Sequence, residues 1–319
     1  MKTLLVGYKA ADLTPALLAG DVTCHVLDVY HRHAIEKVHH AKAICSPHLP
    51  EGPWDLVKFK TGPKLMSGEL ALDLLQECHR FGCPVEVDYV GRERDRNDLL
   101  AKVKDDPKRV RSFKAEWSAS VPGGEPLLFT SYPGCFCHRR LDEGGLALAE
   151  VVSRELLESR SVDGDEPLTL LDMGCGCGLV GLLVARRLSN PSRLSLVMVD
   201  SHARAVEAAR ENAAKFGLAA EVILADNGTP ARMDGTFDVF VGNPPYYSDY
   251  RIAEVFLDTA RRALKPGGVC YTVVKNAAGL KPVQERYFAH VDVIPRRGYS
   301  VLRSRQTVTR ATETPPLAP

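Results

Sequence analysis

Leu170-Leu171-Asp172-Met173-Gly174-Cys175-Gly176-Cys177-Gly178-Leu179-Val180-Gly181 is an apolar run that breaks into alternating glycines and resumes at helical spacing through Leu182, Leu183, Val184 and Leu188. The pattern predicts strand, glycine-rich turn, helix. Glycine lets the backbone take positive φ and approach a ligand, and the helix start offers free amides to a carboxylate. Gly176, Gly178 and Gly181 also satisfy the dinucleotide spacing G-x-G-x-x-G, so this stretch alone leaves the cofactor open.

Working outward, a strand over Leu194–Val199 is predicted to end in Asp200, 26 positions after Gly174, where an acid can bind a ribose diol. A helix over Ala203–Phe216 stops at Gly217, and a strand over Glu221–Leu224 runs into Ala225-Asp226-Asn227, where an acid can accept from an adenine amino group. A strand over Phe237–Val241 then delivers Asn243-Pro244-Pro245-Tyr246. Open α/β sheets place ligands at the carboxyl ends of their strands, so the four strand ends converge on one crevice.

The fourth of these segments suits one task. An amine conjugated to a ring is a poor nucleophile until its lone pair localises, and two acceptors aimed at its N–H groups favour that change. The Asn243 side-chain oxygen and the Pro244 carbonyl are the candidate acceptors, and Tyr246 offers a flat face for stacking. Pro245 fixes its own φ and holds Pro244 extended, so the loop is rigid.

On these residues the sequence resembles the class I S-adenosylmethionine-dependent methyltransferases, and among them the small-domain group that includes bacterial ribosomal RNA guanine-N2 methyltransferases. Tyr132-Pro133-Gly134-Cys135-Phe136-Cys137-His138-Arg139-Arg140-Leu141-Asp142-Glu143-Gly144 is similar to that group's Gly-Val-Phe-Ser, basic, Leu-Asp-x-Gly segment. Leu264-Lys265-Pro266-Gly267-Gly268, Val274-Lys275-Asn276 and Gly298-Tyr299-Ser300-Val301-Leu302 resemble its later segments, so the similarity covers about 128–305. The group has Phe then His after Pro-Pro; here Tyr246 is followed by Tyr247 and Ser248.

The resemblance implies S-adenosyl-L-methionine as cofactor, held by Asp172, Gly174, Cys175, Gly176, Gly178, Asp200, Ser201, Asp226 and Asn227. It makes Asn243, Pro244, Pro245 and Tyr246 catalytic, with Phe136, Arg139 and Tyr247 bordering the substrate. It implies methyl transfer to the exocyclic N2 of a guanine in ribosomal RNA, small subunit favoured, on an extruded base. A large-subunit guanine, an adenine N6 or a protein glutamine suits the same loop, and a non-catalytic RNA-binding assembly factor is the alternative from another class.

The first half alternates strand-like runs at Thr3–Val6, His25–Val29, Leu56–Phe59 and Val85–Val90 with helical segments such as Glu69–Cys78, but has no glycine loop. Lys60-Thr61-Gly62-Pro63-Lys64 stands where a second Asn-Pro-Pro-Tyr would fall, and Asp88-Tyr89-Val90-Gly91-Arg92-Glu93 resembles the family's Val-Val-Gly-Glu stretch. The expectation is α/β throughout: a degenerate, cofactor-less methyltransferase-like domain over 1–120, a Rossmann-like catalytic domain over 127–310 and a flexible tail over 311–319. The Pro/Gly-rich Val121-Pro122-Gly123-Gly124-Glu125-Pro126 is the expected link.

A chain of 319 residues with 45% hydrophobic content can bury two cores, and a net charge of +1 argues against a uniformly basic nucleic-acid binder. Charge is uneven: Gly91–Lys114 holds nine Lys/Arg against five acids, a stretch able to track phosphates or to form a solvated helix face. An odd count of nine cysteines, no signal peptide and no apolar run of membrane length point to a reducing cytoplasm. Cys135-x-Cys137-His138 and the histidines 31, 33, 39 and 40 lack zinc-site spacing, so no metal is expected.

Overall fold

The computed structural model of the chain describes residues 1–103, 111–158, 167–188, 193–245 and 250–307. Its first half holds β1 (Lys2–Val6), β2 (Asp21–Val26), α1 (Val29–His39), β3 (Lys42–Cys45), β4 (Leu56–Thr61), α2 (Gly68–His79), β5 (Val85–Tyr89) and α3 (Glu93–Leu100). The five strands form a parallel sheet in the order β3-β2-β1-β4-β5. Alternate side chains face opposite sides of a strand, so Leu4 and Val6 enter one core with α2 while Leu5 enters another with Ile35 of α1.

The second half begins with a hairpin of β6 (Ala115–Ala119) and β7 (Leu127–Ser131). There follow α4 (Glu143–Glu158), β8 (Leu168–Met173), α5 (Leu179–Arg187), β9 (Leu194–Asp200), α6 (Ala203–Lys215), β10 (Ala220–Leu224) and β11 (Phe237–Gly242). The chain continues with α7 (Arg251–Ala263), β12 (Leu264–Val274), α8 (Ala277–Gln284), β13 (Asp292–Arg296) and β14 (Tyr299–Arg305). The sheet order is β10-β9-β8-β11-β12-β14-β13, with β14 antiparallel to both its neighbours. Helices cover both faces, which is why β8 reads as a continuous apolar run: Leu170 packs into one core and Leu171 into the other. The sequence β10-β9-β8-β11-β12 repeats, position for position, the order of the first sheet. By that correspondence Gly62-Pro63, after β4, occupies the place of Asn243-Pro244, after β11.

Three expectations change. The strand expected over His25–Val29 ends at Val26, because Asp28 accepts the Tyr30 amide (2.8 Å) and starts α1 at Val29. α1 and β3 were not anticipated. The link expected at 121–126 instead connects the strands of the β6–β7 hairpin, and Ala119 and Val121 belong to the second half's core, so the chain leaves the first sheet before Ala115. The expected tail over 311–319 lies outside the described residues. No helix among the described residues is long and apolar enough to cross a membrane.

The halves are pinned together. Arg204 at the start of α6 is 1% exposed and reaches into the first half, where it donates to Asp73 (2.6 Å), Glu77 (3.3 Å) and the Pro47 carbonyl (2.9 Å). The loop before α1 lies antiparallel to the loop before α6, with Val29 N–H donating to Ser201 O (2.9 Å) and Ala203 N–H to Leu27 O (2.7 Å). A cleft of about 1140 Å³ opens between the halves, bordered by Gly62-Pro63 on one side and by the 134–140 segment on the other.

Candidate functional site

The glycine loop is held from behind. Gly174 and Cys175 N–H groups both donate to the Val199 carbonyl of β9 (2.8 and 3.0 Å), tying the turn to the next strand. Gly174, Gly176 and Gly178 have φ of +68°, +56° and +87°. A Cβ on Gly176 would meet nothing within 4 Å, so its surface is open, whereas one on Gly178 would strike Leu182 at 2.7 Å. Asp172, 2% exposed, accepts the Gly181 amide (2.8 Å) at the start of α5. Burial pushes its carboxyl up to about 7, against the opposing pull of that hydrogen bond. The Cys175 and Cys177 thiols are buried in the core, and burial raises both pKa values. The Cys175 sulfur thus lies in the core.

Asp200 ends β9 and ties the acid positions to the glycine loop: one oxygen accepts Gly176 N–H (2.8 Å) and the other His202 N–H (2.9 Å). Burial raises its pKa, and those amide bonds oppose the rise. Its carbonyl accepts the Ala225 amide (3.0 Å), which places Asp226 alongside, just past the end of β10. Ser201 donates its hydroxyl to Asp28 of the first half (2.9 Å). Asp226 accepts from His33 of α1 (3.0 Å), and Asn227 is exposed beside it.

Asn243 leaves the carboxyl end of β11 with its side-chain amide donating to Asp142 (2.8 Å). A carboxylate can only accept here, so the contact fixes which end of the carboxamide is nitrogen and leaves its oxygen as an acceptor with no partner among the described residues. Asp142 is itself fixed by Gly144 N–H (3.0 Å), and burial raises its pKa against these hydrogen bonds. Pro244 is buried and Pro245 half-buried. Tyr246 and Tyr247 lie outside the described residues. The glycine loop, Asp200, Asp226 and Asn243 therefore stand at the ends of the adjacent strands β8, β9, β10 and β11.

The substrate-border residues diverge. Phe136 is 67% exposed, as an aromatic available for stacking would be. Arg139 turns to the first half, where both Glu69 oxygens (2.9 and 3.0 Å) and the Phe113 carbonyl (3.2 Å) occupy it. Much of the basic surface is similarly committed: Arg92 to Asp95, Arg297 to Glu143 and Glu150, Arg303 to Glu155 and Asp292. Lys102, Arg111 and Arg140 border the cleft between the halves, while residues 104, 108 and 109 are outside the described residues. His138 bonds Ser131 (3.0 Å), and no group of three or more His, Cys, Asp or Glu among the described residues is arranged to hold a metal.

Sequence reasoning missed Asp142 as a site residue, although the Leu-Asp-x-Gly segment contained it. It also missed His33, which only the tertiary fold brings to Asp226, 193 positions away.

Comparison with known proteins places this geometry. The family model described as the methyltransferase small domain matches residues 126–303. The ribosomal RNA small subunit methyltransferase C of Pseudomonas syringae pv. tomato is 33% identical over 172 residues, covering 53% of this chain and 47% of that protein. Its counterpart in Pseudomonas aeruginosa is 36% identical over 184 residues, covering 56% and 50%. The chain thus spans about half the length of the curated relatives it matches. A solved 16S rRNA N2 methyltransferase of T. thermophilus, in complex with AdoMet and guanosine, superposes with a TM-score of 0.78 at 20% identity, over 96% of this chain and 88% of that one. The likeness to that structure extends through both halves.

Proposed function

Because the chain belongs to the methyltransferase small-domain family, we propose that it transfers a methyl group from S-adenosylmethionine to the exocyclic N2 of a guanine in small-subunit ribosomal RNA. The observation that carries this reading is the Asn243 carboxamide, locked by Asp142 with its oxygen unpartnered among the described residues, at the strand end beside the glycine loop. The names of the curated relatives support the RNA substrate. A ribosomal substrate supports a cytoplasmic location.

The residues fit the cofactor. Gly176 leaves open space where a side chain would intrude, and two acids stand at successive strand ends, as a ribose and an adenine require. A sulfonium supplies an already activated methyl group, so the chain's work is orientation. Gly174–Gly178 hold the methionine end, Asp200 the ribose and Asp226 the adenine amino group. Asn243 Oδ1 would accept one N–H of the guanine amine and the Pro244 carbonyl the other, favouring the localised lone pair; bound S-adenosylmethionine would supply the methyl group, its C–S bond breaking to release S-adenosylhomocysteine while the methylated amine gives up one proton. Phe136, exposed beside the crevice, would border the base, and the resemblance gives Tyr246 the stacking role. A paired base cannot reach this crevice, so the guanine is extruded or single-stranded.

Methyl transfer from labelled S-adenosylmethionine to unmodified small subunits, large subunits and protein-free ribosomal RNAs, with nucleoside mass spectrometry, tests the proposal. N2-methylguanosine from small-subunit material, absent with Asn243→Ala, is expected. Label in protein, or in another nucleoside, overturns it.

A further inference from the structure

Asp226 is the only one of the crevice acids whose described hydrogen-bond partner is a side chain of the first half. Helix α1 is delivered to it by a rigid joint. Beyond the two backbone hydrogen bonds between the loops before α1 and α6, Asp28 accepts the Ser201 hydroxyl with one oxygen and caps α1 through Tyr30 N–H with the other. His33 stands about one helical turn further on, and its Nδ1 lies 3.0 Å from Asp226 Oδ2.

The proton on that histidine can be placed. Its Nε2 lies 2.8 Å from a guanidinium nitrogen of Arg32, and a guanidinium only donates. Nε2 is therefore the acceptor, Nδ1 carries the hydrogen, and Nδ1–H donates to the carboxylate. Arg32, His33 and Asp226 form a directed chain of hydrogen bonds ending on one carboxylate oxygen. A carboxylate held by one oxygen has a defined plane, and its second oxygen is left for a ligand.

We propose that His33 is a positioning residue of the cofactor site: the first half holds Asp226 in the orientation that accepts the C6 amino group of adenine, and so sets nucleobase selectivity from outside the cofactor-binding half. The inference rests on the reading of Asp226 as the adenine acceptor. It gives the first half a role in cofactor choice that needs no contact with RNA.

The test measures binding of two thioethers to the full chain by calorimetry: S-adenosylhomocysteine, and its analogue carrying purine, with hydrogen in place of the C6 amino group. Wild type, His33→Ala, His33→Asn and Asp226→Ala are compared, with thermal melting as the check on folding. His33→Ala is expected to weaken the adenine compound about 3- to 10-fold, the worth of one oriented hydrogen bond, and to leave the purine compound unchanged. His33→Asn, whose amide nitrogen sits where Nδ1 does, restores most of the preference. Equal losses for both compounds, or none, in His33→Ala overturn the proposal. If Asp226→Ala abolishes the preference while His33→Ala keeps it, the proposal alone fails. If Asp226→Ala keeps the preference, the adenine reading fails and takes the proposal with it.

Discussion

At the scale of single residues, Asn243 and Asp142 act as a pair. Loss of one oriented polar group at a reacting centre costs on the order of 10² in rate, so Asn243→Ala should lower kcat by about that factor with little change in cofactor affinity. Asp142→Ala leaves the carboxamide present but free to turn, and a fall of about 10-fold in kcat is expected, rescued in Asp142→Asn because an amide oxygen still accepts from Asn243. Steady-state kinetics on the unmodified RNA substrate checks both. Asp172 gives a prediction in pH. Its folded-state carboxyl titrates near 7, above its unfolded value, so the fold favours the neutral form. Stability from this group is fully present below about pH 4 and is lost as pH rises to about 7. In the apo chain, the difference in unfolding free energy between Asp172→Asn and wild type should grow across that window by a few kcal/mol, on the order set by the shift, and level off above it. Urea melts at pH 4.5, 6 and 8 decide it; a flat difference would refute the assignment. The glycines, Asp200 and Asn243 were legible in sequence because each stands next to a strand whose apolar run fixes its place. Asp142 was legible as a motif but not as an orienting group, since the partner it turns is 101 positions away.

At the scale of elements, the second half was readable because its strands are buried on both faces and write long apolar runs, bounded by glycine or acid. Edge strands are different. β3 is four residues with none fully buried, and α1 has only Val29 and Ile35 buried, so neither carries a periodic signal. The Pro/Gly stretch at 121–126 misled because a hairpin turn and an interdomain link use the same residues. Asp28 makes a test of the α1 joint. Asp28→Ala removes the cap and the Ser201 bond together and should cost about 1–2 kcal/mol, while Asp28→Asn keeps an acceptor for the cap and costs less. Chemical denaturation of the two variants separates these outcomes, and equal losses would remove the cap from the account.

At the scale of the whole molecule, Arg204 joins the halves. Truncating one member of a buried charge pair leaves the other without compensation, at a cost of about 3–5 kcal/mol. Arg204→Ala takes the guanidinium from Glu77, 8% exposed at its side chain and left with His48 and the Leu49 amide, so it should lower the melting temperature by less than that full cost implies and broaden or split the transition. Arg204→Lys should not restore it, since an ammonium cannot reach Asp73, Glu77 and the Pro47 carbonyl together. An unchanged melt would show that the halves hold by apolar contact alone. No pattern in the sequence announced this residue: an arginine in the first turn of an alanine-rich helix reads as surface. Its burial also has a consequence for biosynthesis. Glu77 is translated 127 residues ahead of the guanidinium it will accept. At about 5–20 residues per second the wait is on the order of ten seconds. Through that interval Asp73 and Glu77 stand without their guanidinium, Glu77 held by His48 and the Leu49 amide, so the sealing of the two halves against each other is set by the pace of the ribosome, not by the folding of the first sheet.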